Sequence, residues 1–143
     1  MARILIVDDD PDVRLATRLC LESVGHQTIE ACCGSEALDL VKAELPDLIV
    51  LDVMMDTPTE GFQVALKLRS PDARSEYASF STIPIILLTA IHTTVPLRIG
   101  LDPDYLPADV FMEKPLEPAR LIEEVDRLLG RREDNAQHLV MPV

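Results

Sequence analysis

The chain is predicted to form a three-layer α/β/α domain: a doubly wound sheet of five parallel strands in the order 2-1-3-4-5, with helices on both faces. Three observations predict it. Strand-like and helix-like patterns alternate almost from end to end, the mark of βαβ units. The runs Ile4-Leu5-Ile6-Val7, Leu48-Ile49-Val50-Leu51 and Ile85-Ile86-Leu87-Leu88 are continuously aliphatic, as strands buried on both faces are. Four apolar runs end in polar residues that do not belong in a core: Asp8-Asp9-Asp10, Asp52, Thr89 and, after Val110-Phe111-Met112, Glu113-Lys114-Pro115. Parallel strands bring those ends to one sheet edge, where open α/β sheets bind ligands.

The elements follow in order. The first strand covers about 3–7. Asp10 is a good N-cap and Pro11 fits the first helical position. Val13, Ala16, Thr17, Cys20, Leu21 and Val24 then fall on one helical face, and Gly25 stops the helix. The second strand, 27–31, is partly polar and predicted at an edge. Gly34-Ser35 opens a second helix, carrying Ala37, Leu38, Val41 and Leu45, which Pro46 closes. The third strand lies near 47–51. A third helix begins near Gly61, and residues 70–83 form a long polar connection with room for one short helical turn. Pro84 introduces the fourth strand, 84–88. The stretch 91–108 holds Pro96, Pro103, Pro107 and Gly100, so at most two helical turns fit, near 95–101. The fifth strand lies near 109–112. Pro118 sits in the first turn of the last helix, which carries Leu121, Ile122, Val125, Leu128 and Leu129 and is expected to end at Gly130. The domain is thus expected over 1–130, with 131–143 a flexible C-terminal tail.

Composition narrows the function. The chain has 143 residues, a length that buries one respectable core, and 48% of them are hydrophobic. The net charge is −12, from 25 acidic against 13 basic residues, which argues against binding a phosphate backbone. No run reaches the ~18 apolar residues of a membrane span, and Met1-Ala2-Arg3 leads into a short strand rather than a secretory h-region. A cytoplasmic protein with no membrane and no direct nucleic-acid contact is expected. Of three cysteines, Cys20 falls on the apolar helix face and reads as core, while Cys32-Cys33 read as small packed residues, with no His or Cys at zinc spacing.

In the order 2-1-3-4-5 the ends of strands one and three are neighbours, so Asp8, Asp9 and Asp52 converge. Three carboxylates repel one another unless a cation sits among them. Mg2+ suits such a set, because it takes oxygen ligands in octahedral geometry and is held by carboxylates together with phosphate oxygens. Capping explains Asp10 but not the other acids. Thr89 and Lys114 each donate hydrogen bonds to anionic oxygens, and Lys serves as a point charge for phosphate. A carboxylate can accept a phosphoryl group covalently, and such transfer needs positioning and charge neutralisation above all.

This set resembles the receiver domain of two-component response regulators, the CheY-like superfamily with its flavodoxin-like fold. The matching residues are Ile4–Val7 with Asp8-Asp9, Leu51-Asp52-Val53-Met54-Met55, Gly61-Phe62, Leu88-Thr89-Ala90 and Phe111-Met112-Glu113-Lys114-Pro115, over about residues 1–130. The resemblance implies that Asp52 is the phosphoacceptor, taking a phosphoryl group from a phosphohistidine of a sensor histidine kinase or phosphotransfer protein. It implies Mg2+ as cofactor, bound by Asp9 directly, Asp8 through water, Asp52, and the backbone carbonyl of Met54. Thr89 and Lys114 would hold the phosphoryl oxygens, small Ala90 would leave Asp52 accessible, and Lys114-Pro115 would be cis. Thr89 and Phe111 would form the switch. The protein would be a phosphoprotein that catalyses its own phosphorylation and dephosphorylation, not a turnover enzyme. It would act on a downstream protein partner, with phosphorylation-dependent dimerisation as one output, and no DNA-binding output domain fits after residue 130.

Two regions depart from the family. Where Met-Pro-Gly-x-Asp-Gly is usual, this chain has Met55-Asp56-Thr57-Pro58-Thr59-Glu60-Gly61, about one residue longer, with two acids expected beside the site. The Thr89-to-Lys114 stretch is also longer and proline-rich, so a shortened or rebuilt fourth helix is expected at the family's usual output face. At the two positions thought to tune autodephosphorylation, Met54 and Ile91 are both apolar. They are expected to disfavour an attacking water and lengthen the life of the aspartyl phosphate. The sequence Asp8-x-Asp10 faintly resembles the haloacid-dehalogenase phosphatase motif, but Asp12 stands where that motif expects Thr, and Asp52 would be left without a role. A receiver that has lost its chemistry and only binds partners would not keep all five chemical residues.

Overall fold

A computed structural model describes residues 2–55, 57, 59–70, 72–90 and 108–140, and of residues 90 and 131–140 the backbone only. The elements are β1 (Arg3–Val7), α1 (Pro11–Glu22), β2 (Gln27–Ala31), α2 (Gly34–Glu44), β3 (Leu48–Asp52), α3 (Glu60–Leu68), a 3-10 turn (Ala78–Phe80), β4 (Ile85–Ala90), β5 (Val110–Lys114) and α4 (Pro118–Val140). All strand pairs are parallel and the sheet order is β2-β1-β3-β4-β5, as predicted. The expected helical turns near 95–101 lie outside the described residues.

Two aliphatic cores explain the continuous apolar strands. Leu5, Val7, Ile49, Leu51, Ile85 and Leu87 pack on one face, beneath Ala37, Leu38 and Val41 of α2 and Val64, Ala65 and Leu68 of α3. Ile4, Ile6, Leu48, Val50, Ile86, Leu88 and Met112 pack on the other, beneath Leu21 of α1 and Leu121, Val125 and Leu128 of α4. Successive side chains alternate between faces, so each central strand needs an aliphatic residue at every position.

Local signals set the ends. The Asp10 side chain accepts the Asp12 N–H at 2.9 Å and caps α1. Only Thr17 and Leu21 of α1 are fully buried; Ala16 and Val24 of the expected face are exposed, so the buried stripe is narrower than the sequence pattern. Leu45 takes a left-handed conformation (φ 50°) after α2, and Pro46 follows it. Cys20 is half-buried against the α1–α4 core, as its helix face suggests. Cys32 is exposed and Cys33 partly so, which corrects their expected packing.

Gly130 does not end the last helix. α4 runs through it to Val140, and Gly130 lacks the positive φ of a C-terminal cap. A glycine inside a helix costs only about 1 kcal/mol relative to alanine, too little to stop a helix whose following residues propagate it. A Cβ at Gly130 would meet no atom within 4 Å. Gly130→Ala is therefore expected to raise the unfolding free energy by about 0.5–1 kcal/mol, read as a higher urea midpoint at unchanged m-value.

Candidate functional site

The site forms at the carboxyl edge of the sheet, and strand alternation decides which residues meet there. Asp8 continues the phase of Ile4 and Ile6, Asp52 that of Leu48 and Val50, and Lys114 that of Met112. All three therefore emerge on the α1–α4 side. Asp52 and Lys114 are the last residues of β3 and β5, and Asp8 directly follows β1.

Asp8 and Asp52 are almost fully buried, 1% and 4% exposed, while Asp9 is exposed. Lys114 Nζ lies 3.0 Å from Asp8 Oδ2 and 3.1 Å from Asp52 Oδ1, bridging the two carboxylates. Asp8 Oδ1 also accepts the Asp10 N–H at 3.0 Å. One carboxylate oxygen from each of Asp8, Asp9 and Asp52 falls within 4.8 Å of the others.

Burial pushes the Asp52 carboxyl up to about 6, and the nearby Asp8 charge adds to the rise, while Lys114 opposes it and Asp9 adds a little. For Lys114, burial alone would lower the pKa. The hydrogen bond to Asp8 and the charges of Asp52 and Asp8 outweigh it and hold the ammonium above its ordinary value. Three carboxylates thus face one ammonium, and the remaining negative charge with its oxygen donors fits a hard divalent cation.

Thr89 is 3% exposed and follows Leu88, the residue paired with Asp52. Its strand phase is that of Ile85 and Leu87, so it belongs to the α2–α3 side. Phe111 pairs with Leu87 and packs partly buried against that same core. The structure therefore gathers Asp8, Asp52 and Lys114 on one side of the sheet edge and sets Thr89 with Phe111 on the other. Met54 is exposed, two residues beyond Asp52, and the Lys114-Pro115 bond is cis as expected. Ile91 lies outside the described residues.

Glu60 corrects a sequence expectation. It is not a free acid beside the site: its Oε2 accepts the Gly34 N–H at 2.5 Å, at the start of α2. Cys33, the N-cap of α2, makes no side-chain capping bond. Glu60 supplies that missing acceptor, and its charge suits the helix N-terminus. The sequence signal is Cys at a position where Ser, Thr, Asp or Asn is preferred. Asp56, the other expected acid, lies outside the described residues.

A five-stranded parallel sheet of this order, with a buried acid bridged by a lysine at its carboxyl edge, defines a class of signalling receiver. Residues 4–126 match the response regulator receiver domain family, and the chain belongs to it. It is 34% identical over 133 residues to the transcriptional regulatory protein AfsQ1 of Streptomyces coelicolor, covering 93% of this chain and 53% of that protein. It is also 34% identical to the DNA-binding response regulator MtrA of Mycolicibacterium smegmatis, covering 96% of this chain and 55% of that protein. The chain spans about half the length of the curated relatives it matches. Among solved structures it is similar to response regulator TrrA of Thermotoga maritima in complex with Mg2+-BeF (30% identity, TM-score 0.72, 90% of this chain and 99% of that one). It is likewise similar to the signal receiver domain of a signal transduction histidine kinase from Syntrophus aciditrophicus (32%, TM-score 0.73, 91% of each). Among the described residues no helix is long and apolar enough to cross a membrane.

Proposed function

We propose that this domain accepts a phosphoryl group on Asp52 from a phosphohistidine of a histidine kinase or phosphotransfer protein, and that phosphorylation switches its protein contacts. The observation that carries the reading is the Lys114 ammonium seated between Asp52 and Asp8, 3.1 and 3.0 Å from their oxygens. An Asp52 carboxylate oxygen attacks phosphorus in line; the P–N bond breaks, and its electron pair stays on the imidazole nitrogen. The product is an aspartyl phosphate. Lys114 would turn from the carboxylate pair to a phosphoryl oxygen, with which it makes a charge-assisted bond. Asp9, Asp8, Asp52 and the Met54 carbonyl would hold Mg2+, which when bound supplies charge neutralisation for the incoming phosphoryl group.

Thr89 leaves the site on the opposite side of the sheet from Lys114, toward Phe111. A Thr89 drawn to the phosphoryl group would vacate space beside Phe111, which supports their reading as the switch pair. Apolar Met54 beside the acceptor supports a long-lived aspartyl phosphate. The protein is modified once per cycle rather than turning substrate over, works in the cytoplasm, and signals through a protein partner or through phosphorylation-dependent dimerisation.

The test is uptake of beryllofluoride, or of phosphate from a small donor such as acetyl phosphate, with and without Mg2+. One phosphoryl group per chain is expected by intact mass, only with Mg2+, and none in Asp52→Asn. Absence of uptake by the intact protein, or undiminished uptake by Asp52→Asn, overturns the reading.

A further inference from the structure

The backbone of Asp8 is held on both sides by a network that reaches across α1 to the edge strand. The Asp8 N–H donates to the Ala31 carbonyl at 3.2 Å, and the Asp8 carbonyl accepts from Arg14 Nη1 at 2.7 Å. The same guanidinium donates through Nε to Glu30 Oε1 at 3.2 Å, and Arg18 Nη1 lies 3.1 Å from Glu30 Oε2. The Arg14 and Glu30 side chains are only 19% and 31% exposed. Glu30 belongs to β2, so it aims Arg14 from a strand rather than from a mobile loop.

We infer that Arg14 is a positioning residue for the divalent-cation site, fixing the Asp8–Asp9 peptide and through it the direction of the Asp9 carboxylate. The inference rests on the proposed reading of Asp8, Asp9 and Asp52 as cation ligands. Burial and Lys114 already confine Asp8 and Asp52. Asp9 is exposed, and among the described residues no hydrogen bond or ion pair holds its carboxylate. Its aim therefore comes from its backbone. A peptide unit is planar, so pinning the Asp8 carbonyl also sets the Asp9 N–H and the position of the Asp9 Cα from which the carboxylate extends. Arg suits this task because its planar fork bonds two acceptors in fixed geometry, which a lysine cannot do.

The sign of the effect separates positioning from charge. A guanidinium beside a cation site repels the cation, so a role as a mere neighbouring charge predicts tighter binding when Arg14 is neutralised. A positioning role predicts weaker binding. Partners that orient metal ligands are worth about 10–100-fold in metal affinity.

Mg2+ alone is titrated calorimetrically into the wild type and the variants Arg14→Gln, Arg14→Lys, Glu30→Gln and Arg18→Gln, each checked for folding by circular dichroism. Arg14→Gln is expected to weaken the Mg2+ dissociation constant about tenfold or more, with Arg14→Lys between it and the wild type. Glu30→Gln, which weakens the aim of Arg14 together with the Arg18 contact that Arg18→Gln removes by itself, is expected to weaken it severalfold and serves if Arg14→Gln does not fold. Arg18→Gln breaks the far end of the network, leaves both Arg14 bonds, and is expected to stay within about twofold. Wild-type binding with equal or tighter affinity in Arg14→Gln, or in Glu30→Gln where Arg14→Gln does not fold, overturns the inference. A wild type that takes up no Mg2+ fails the cation-site reading itself, and the inference with it.

Discussion

Gly61→Ala is expected to destabilise the domain by about 3 kcal/mol or more, beyond the usual range for overpacking. A Cβ at this position would stand 1.7 Å from the carbonyl oxygen of Asp52, 2.7 Å from its carbonyl carbon and 2.9 Å from the Cα of Val53. All three are backbone atoms, so no rotamer change relieves the clash. Gly61 has no positive φ; the constraint is space. The Gly61 N–H also donates to the Val53 carbonyl at 2.9 Å, tying the first turn of α3 to the residue after Asp52. Either α3 withdraws or the Asp52 peptide moves, and the second choice damages the site as well as the fold. Gly34→Ala is the natural comparison, since its Cβ would meet the Val64 and Glu60 side chains at 2.9–3.2 Å, and side chains can shift. Urea unfolding of both variants checks this: a larger loss for Gly61→Ala is expected, and a Gly61→Ala protein within about 1 kcal/mol of the wild type would contradict it.

In the absence of divalent cations, Asp52→Asn is expected to be more stable than the wild type at neutral pH, by on the order of 1–3 kcal/mol. The Asp52 carboxyl is pushed from 3.8 up to about 6 in the folded protein. The folded state then binds this proton more tightly than the unfolded chain does. Stability from this group is complete below the unfolded value and is lost as pH rises through about 6, at about 1.4 kcal/mol for each tenfold difference in proton affinity between the two states. Asparagine keeps the shape and removes the charge, and the loss of the Lys114 partner offsets part of the gain. The stability gap between variant and wild type should therefore widen from pH 4 to 6 and level off above pH 7, while groups common to both cancel. Adding Mg2+ should narrow the gap by binding the wild type. A gap that narrows with rising pH in the metal-free proteins would show that Asp52 is not under charge stress.

Much of this is legible in the sequence because burial on both faces leaves a plain mark. Ile4–Val7, Leu48–Leu51 and Ile85–Leu88 can only be central strands, and a polar residue at the end of each has to lie at one edge. The acids and Thr89 follow from that, and Lys114 follows in the same way from the shorter run Val110-Phe111-Met112. The Glu60 bond to Gly34 is not legible, because it spans 26 positions and depends on how α2 and α3 come together. The course of α4 past Gly130 escapes a sequence reading because one glycine weighs about 1 kcal/mol against a helix of many residues. The narrow stripe of α1 reflects its neighbours, which cover only Thr17 and Leu21 completely.

The alternation of side chains at the sheet edge also bears on which changes of length this family member can absorb. Met112 and Lys114 of β5 share one side of the sheet, Met112 in its aliphatic core and Lys114 on the acid cluster, while Phe111 serves the opposite layer. Adding or deleting one residue inside β5 would exchange those assignments, carrying a ring toward two carboxylates and a charge into an aliphatic layer. Beyond Met55, which is buried with Val53 against the α2–α3 core, the segment leading to Gly61 lies outside the strands and has no such parity to keep. Inherited insertions and deletions should therefore collect in that segment and be absent from the strands, which makes the strand interiors a ruler of fixed length and the loop a place where related regulators can diverge.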